Sequence, residues 1–349
     1  MVLSKTCREK CSLWTALTKL QTDWWLELEN TYEERIQQRQ ALFAEHGSDV
    51  LDALPGSELA CKELMEMALQ FLCARYPQYF RLSSDNKIFY NGILNTETDL
   101  ATTPPLHVLL NNVPEDFALT IRDEKTGYYI MRAGVICSAL GWSVGTKIGL
   151  DLHGIHSPIP DYKEKMAFSM DRCVPHLLEY CRDEILRLCR YFAKKPTDKP
   201  IQRGSWGLEI DKPLYMPPGH PHEVHRSHQL SDLSLSRCHL RVDWQTLRRL
   251  PLSGAVVFNF KALFTPVEEF QDEPYVPGLL LKILNEGKKS LMEYKGTWHV
   301  EHVIKPAMER YHKEQVEGGL VEQDWEPHTL EESPWFPGWE EKWHLQQVF

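Results

Sequence analysis

The feature that most narrows what this chain can fold into is a pair of alternating runs followed by a stretch that no single regular element can cross. Phe117, Leu119 and Ile121 recur at every second position, the turn DEKTG follows, and Tyr129, Met131, Ala133 and Val135 alternate again. Period two places side chains on one face of a strand. Gly127 in the connection suits a tight turn, so the two runs read as a β-hairpin. From Trp142 to Pro160 the pattern breaks. Gly145, Gly149, Gly154, Pro158 and Pro160 exclude one long element and predict short helix and loop. Three more strand-like runs follow, near 203–210, 238–248 and 254–264, the last two joined by the PLSG turn at 251–254. On the middle run Leu240, Val242 and Trp244 share one face, and Arg241, Asp243 and Gln245 share the other. The expected class is α+β, an antiparallel sheet interrupted by a helical excursion.

Helices flank this sheet. Trp25, Leu28, Tyr32 and Ile36 predict a helix over 20–46 that stops at Gly47, and a second is predicted over 57–75 with Ser57 as N-cap and Pro77 beyond its end. Short strands are expected around Phe80–Leu82 and Ile88–Tyr90, flanking the turn-rich SSDN. Leu178, Cys181, Ile185, Leu188 and Phe192 give an amphipathic helix over 174–193, too short for a coiled-coil seam and read as core packing. Another helix is expected over 278–293, and the Glu-, Pro- and Trp-rich tail from Glu317 is expected to pack extended through Trp325, Trp335, Trp339 and Trp343.

Composition excludes several classes of function. With 39 Lys and Arg against 49 Asp and Glu, the chain carries a net charge of −10 and has no long basic stretch, a poor basis for binding nucleic acid or an anionic membrane. No run has the roughly 18 apolar residues of a membrane span, and MVLSKTCREKCSLW lacks the apolar core of a signal peptide. Nine scattered cysteines without a C-x2-C pair argue against zinc or iron–sulfur ligation and suit reduced thiols in the cytoplasm. Neither a Gly-rich phosphate fingerprint nor a G-x-S-x-G elbow is present. The cluster HPHEVHRSH brings His220, His222, His225 and His228 close in sequence, as a loop of exposed imidazoles or as metal ligands.

A chain of segments carries a family resemblance. In order these are WWLELENTYEER from Trp24, ALPGSE from Ala53, ARYP from Ala74, VPEDF from Val113, AGVIC from Ala133 with Trp142, KIG from Lys147, IHSPIPDY from Ile155, FSMDR from Phe168, LRVDWQTLRRLP from Leu240, SGAVVF from Ser253 and YKG from Tyr294. Together, over roughly residues 24–296, they resemble the haem-dependent oxidative N-demethylase-like family. The chain departs from that pattern around one presumed site. It reads CSALGW from Cys137 where the family has C-F-P-S-x-W, Ser205 where the family has Asn, and Asp243 and Trp244 where the family has Glu and Arg.

The resemblance implies a PAS-like haem-binding domain over 96–270, between an N-terminal helical region, 1–95, and a C-terminal helix and tail, 271–349. It implies haem b with His156 as the iron's axial ligand, bracketed by Ile155 and the stiff Pro158-Ile159-Pro160. His153 is the rival, and a structural imidazole is the alternative. Asp243 becomes the candidate catalytic carboxylate, able to hold an alkylammonium or take its proton, with a strand-face ion pair to Arg241 or Arg248 as the alternative. Arg203, Arg241, Arg248 and Arg249 become candidates for the haem propionates, and Trp142 and Trp206 for pocket lining or core. The implied activity is that of a metal-binding monooxygenase, the demethylation of a small methylated amine with dioxygen and electrons from a separate reductase. A haem-binding sensor without turnover and a cofactor-free interaction protein are the alternatives.

Overall fold

The computed structural model describes residues 18–155, 192–326 and 338–346. In chain order the elements are β1 (Thr18–Lys19), α1 (Tyr32–His46), β2 (Leu51–Ala53), α2 (Glu58–Arg75), β3 (Phe80–Leu82), β4 (Ile88–Asn91), β5 (Thr96–Asp99), α3 (Pro105–Asn112), β6 (Asp116–Arg122) and β7 (Tyr129–Val135). Then come α4 (Val144–Lys147), α5 (Leu152–Ile155), β8 (Ile201–Ile210), β9 (Cys238–Arg249), β10 (Val256–Pro266), α6 (Val276–Glu286), α7 (Lys289–Lys295), α8 (Trp298–Glu317) and α9 (Trp339–Gln346).

Seven strands form one sheet in the order β1-β8-β9-β10-β6-β7-β2, with every neighbouring pair antiparallel. β3, β4 and β5 form a separate small sheet. The class is therefore α+β. The β6–β7 hairpin forms as its alternation predicts, with Gly127 at φ 76° in the turn and a register shift between Leu119 and Thr120. The long pairing of β9 with β10 runs from Arg249 opposite Val256 to His239 opposite Pro266.

Several boundaries differ from the sequence reading. The first helix starts at Tyr32 rather than near residue 20. Before it, long-range bonds replace helical ones. The Glu27 amide donates to Glu115 Oε1, the Leu28 amide to the Tyr76 hydroxyl, and Lys261 Nζ to the Glu27 carbonyl. Those partners let Trp25, Leu26 and Leu28 bury in an irregular segment without orphaned backbone groups. Ser57 precedes α2, but its hydroxyl bonds back to the Leu54 carbonyl instead of capping the helix. The helix expected over 278–293 is two, α6 and α7, with Gly287 between them. A Cβ at Gly287 would lie 2.5 Å from the Ile283 carbonyl oxygen, so only glycine allows that corner. The tail is not wholly extended, because Trp339–Gln346 is helical. Most of the helix expected over 174–193 lies outside the described residues. Its Phe192 is described, buried edge-on against Tyr129 and Phe258.

Two buried clusters pack against the sheet. One buried cluster joins the N-terminal helices to β6, β7 and β10, with members from Leu20 to Phe258, and so runs through both 1–95 and 96–270. The other holds Trp206, Leu208, Leu240 and Val242 against α6 and α8. No helix among the described residues is long and apolar enough to cross a membrane.

Candidate functional site

Alternation along β9 creates two different surfaces, and a cavity lies against each. The first, of about 370 Å³, is lined by Arg241, Asp243 and Gln245 of β9, with Arg203 of β8, Phe258 and Phe260 of β10, and Ala118, Thr120 and Met131 of the β6–β7 hairpin. Leu140, Trp142, Lys147, Leu152 and Ile155 close it from the irregular segment, and Tyr294 from α7. Its volume is that of a small-molecule site, and its composition, apolar walls with a few converging polar groups, is typical of one.

The polar groups are fixed rather than loose. Arg241 is buried, and each of its five N–H groups has an acceptor. Nε and Nη2 both donate to Asp243 Oδ1, at 3.0 and 2.9 Å. Nη1 donates to the Pro213 and Leu214 carbonyls, and Nη2 to that of Ser138. Among the described residues no hydrogen bond reaches Asp243 Oδ2. Asp243 keeps 30% of its side-chain surface exposed, against 3% for Arg241. A fully engaged guanidinium thus carries a carboxylate with one open oxygen at the cavity.

Behind Ser138 the chain of bonds continues inward. The Ser138 amide donates to Asp116 Oδ2 at 2.7 Å, and so does its hydroxyl. Asp116 is buried and ion-paired with the equally buried Arg39 of α1. Elsewhere on the rim, Arg203 Nε donates to Gln245 Oε1 at 2.6 Å. Lys295 Nζ donates to the hydroxyl of Ser205, the residue directly across from Asp243, and to the carbonyl of its neighbour Trp206.

The cavity therefore gathers Trp142, Arg203, Arg241 and Asp243. It does not gather Trp206 or Arg248. Trp206 pairs with Val242 and is buried on the other face with the C-terminal helices. Arg248 stacks on the Trp25 ring at 3.5 Å, and burial pushes its guanidinium down to about 10. Both have the parity of Val242 and Trp244, so a strand pleat turns them away. His156 lies outside the described residues, as does the His153 side chain. Ile155, which precedes His156, lines the cavity.

In the histidine cluster the His222 ring lies 4.9 Å from that of His225 and 6.5 Å from that of His220. His222 Nε2 donates to the Ile210 carbonyl at 3.0 Å, and the His222 amide bonds to His220 Nδ1. Among the described residues no three His, Cys, Asp or Glu side chains are arranged to hold a metal ion.

The second cavity, about 450 Å³, lies on the opposite face, between Val242, Trp244, Lys261 and Leu263 of the sheet and Trp24, Glu27, Glu29 and Arg35, with Trp343 of α9 at its edge. Burial pushes Glu27 and Glu115 up to about 7, against the pull of Lys261. Lys261 is itself buried and pairs with Glu29 at 2.7 Å. Sequence reading gave no role to Arg39, Asp116, Ser138, Glu115 or Lys261. The one signal for Glu115 and Asp116 was their place in VPEDF, a motif quoted for resemblance alone.

Residues 16–305 match the family described as haem-dependent oxidative N-demethylase, alpha subunit-like.

Proposed function

The chain belongs to the haem-dependent oxidative N-demethylase, alpha subunit-like family, whose pattern it matches over residues 16–305, and from that membership we propose that it binds haem b in the cavity beneath Phe258 and Phe260 and demethylates a small methylated amine. The observation that carries this reading is the Asp243 carboxylate, open at Oδ2, facing a cavity of mixed lining in which Trp142, Met131, Phe258 and Phe260 supply apolar wall beside polar groups such as Arg203 and Lys147. An alkylammonium ion needs an anionic acceptor, and its methyl groups need apolar walls.

The strand order supports a PAS-like reading. β7-β6-β10-β9-β8 run side by side, and the irregular α4–α5 segment falls between β7 and β8 in the chain. A PAS domain has that order, and it cradles its ligand between the sheet and the intervening helical segment. The cavity has the matching position, between the sheet and Trp142, Leu152 and Ile155.

The donor set suits haem in kind. Apolar walls suit a macrocycle, and Arg203 at the cavity suits a propionate. Arg241 is committed to Asp243, and Arg248 points away, which leaves Arg203 as the propionate partner in this reading. His156, one Cα–Cα step of about 3.8 Å beyond Ile155, would supply the axial imidazole. When bound, haem would supply the redox chemistry, with dioxygen as oxidant and electrons from a separate reductase, and the N-methyl carbon would leave as formaldehyde. The chain's own residues bind and orient. Asp243 Oδ2 accepts from the ammonium or takes its proton, which frees the nitrogen lone pair. Phe258, Phe260, Trp142 and Met131 exclude water around the methyl group. A site in the cytoplasm, where reduced cofactors supply such a reductase, fits this chemistry.

The test is an assay of haem-loaded protein with reductant, oxygen and mono-, di- and trimethylamine. Formaldehyde from wild type, and a Soret band changed in His156→Ala, are the expected results. No formaldehyde from any amine would overturn the demethylase reading. No Soret band from reconstituted wild type would overturn haem binding as well.

A further inference from the structure

We infer that Asp116 and Ser138 are positioning residues that act through Arg241 to fix the direction of the open Asp243 oxygen. This rests on the reading of Asp243 as the amine's acceptor.

The geometry is a single line of bonds from the buried Arg39 of α1 to the cavity. Arg39 pairs with Asp116, Asp116 accepts both donors of Ser138, the Ser138 carbonyl accepts from Arg241, and Arg241 grips Asp243. Each link is directional. A carboxylate receiving two donors from one residue, as Asp116 does from the Ser138 amide and hydroxyl, fixes the preceding peptide unit and the side chain, and so anchors the Cα from which the Ser138 carbonyl departs toward Arg241. That carbonyl takes one Nη2 proton of Arg241, and the Pro213 and Leu214 carbonyls take both protons of Nη1. The planar fork then has one orientation left, and both remaining N–H groups meet the same atom, Asp243 Oδ1. Binding one carboxylate oxygen twice rotates the other outward. Oδ2 is thereby presented to the cavity at a fixed angle, as an acceptor for a small cation needs.

A simple surface ion pair between Arg241 and Asp243 would not need this arrangement. Arg241 is 3% exposed and Asp116 and Arg39 are 1% exposed each, so the charged links behind the half-buried Ser138 and the cavity-facing Asp243 are out of solvent. Placing charges there costs desolvation energy, and pairs of this kind serve geometry more than stability. Asp116 and Ser138 also lie at the two ends of the β6–β7 hairpin, Asp116 opening β6 and Ser138 three residues past Val135. The hairpin that forms the cavity floor therefore also sets the carboxylate.

The experiment measures dimethylammonium binding by titration calorimetry at one pH, with thermal unfolding measured beside it, on haem-loaded wild type and six variants. Asp243→Asn removes the acceptor's charge and is expected to weaken binding about tenfold to a hundredfold, the span of a hydrogen bond to a charged group. Ser138→Ala deletes only the hydroxyl link and is expected to weaken it about threefold to tenfold, with Ser138→Thr restoring most of the loss. Arg241→Lys, which keeps the charge and loses the fork, is expected to weaken it about tenfold. Ser138→Ala/Asp243→Asn and Arg241→Lys/Asp243→Asn are expected to bind no worse than Asp243→Asn alone, because the upstream residues act only through that carboxylate. Penalties that add in the double variants would overturn the positioning role. So would unchanged binding in both Ser138→Ala and Arg241→Lys while Asp243→Asn loses affinity. If Asp243→Asn itself binds like wild type, or wild type binds no dimethylammonium, the amine reading of Asp243 fails first, and these results separate the two failures.

Discussion

Replacing Glu115 by Gln should reverse its effect on stability between pH 4 and pH 8. Glu115 is buried against Lys261, Asn259 and the Glu27 amide, and burial pushes its carboxyl from 4.5 up to about 7. A raised carboxyl holds its proton in the folded state where the unfolded chain has already released it. The fold is therefore favoured on the acid side, and that advantage is lost as pH rises from 4.5 through 7. At about 1.4 kcal/mol per pH unit, the interval from 4.5 to about 7 costs the ionised form about 3 kcal/mol. Glutamine removes this cost, but it turns an NH2 group toward one of two donors, the Asn259 amide at 2.6 Å or the Glu27 N–H at 3.2 Å, at a loss of about 1 kcal/mol. The expected outcome is a variant about 1 kcal/mol less stable than wild type at pH 4, about equal to it at pH 5, where the unfolded carboxyl has already ionised, and about 2 kcal/mol more stable at pH 8. Urea titrations at pH 4, 5, 6.5 and 8 measure it. The difference between variant and wild type cancels titrations elsewhere, including that of His299, which burial pushes down to about 4. A variant that is equally destabilised at all four pH values would refute the reasoning, because Glu115 would then be ionised in the fold without penalty.

Two further outcomes follow from buried polar groups. Tyr32→Phe removes the hydroxyl that donates to the Asn112 carbonyl and accepts from Asn91, both at 2.8 Å, and should destabilise by about 1–3 kcal/mol in urea titration. His299 is buried with Nδ1 on the Gly296 carbonyl, so its stabilising contribution is complete above the ordinary value of 6.5 and is lost as pH falls from there toward about 4. His299→Gln should flatten stability against pH across that window relative to wild type, and an unchanged slope would show that His299 does not titrate with unfolding.

The sheet was legible because strands announce themselves by parity. The contrast of Leu240, Val242 and Trp244 with Arg241, Asp243 and Gln245 is the difference between the two faces of β9: the second set lines one cavity, Val242 and Trp244 line the other, and Leu240 is buried in the core. Parity also decides the candidates that the cavity does not gather. Trp206 and Arg248 share the register class of Val242, but side-chain chemistry led the sequence reading to group them with Arg203 and Arg241. Where local pattern and tertiary contact disagree, local pattern misled. Trp25 and Leu28 have helical spacing, yet their segment is irregular, because Tyr76, Glu115 and Lys261 supply its bonds from 48, 88 and 234 residues away. No window of sequence contains those partners.

The same reason explains why the support of Asp243 stayed hidden when Asp243 itself did not. A carboxylate on a strand face, at the position where the resemblance implies a Glu, can be read from one residue. Its orientation depends on a serine 105 residues earlier, on carbonyls at 213 and 214, and on an ion pair between a helix and a strand edge. A carbonyl acceptor has no sequence signature, since every residue has one. The substitution of Glu by Asp at 243 then takes on a physical meaning. A side chain shorter by one methylene, about 1.5 Å, reaches less far from β9, and one that is bonded twice through Oδ1 cannot recover that reach by rotating. Lengthening it in Asp243→Glu should push the open oxygen deeper into the cavity, where Phe258 and Met131 stand, and shift preference toward amines with fewer methyl groups. Competitive binding of methylammonium against trimethylammonium reads that shift directly. An unchanged preference would mean that Arg241 re-docks to follow the longer side chain, and that the fork is less rigid than its five bonds imply.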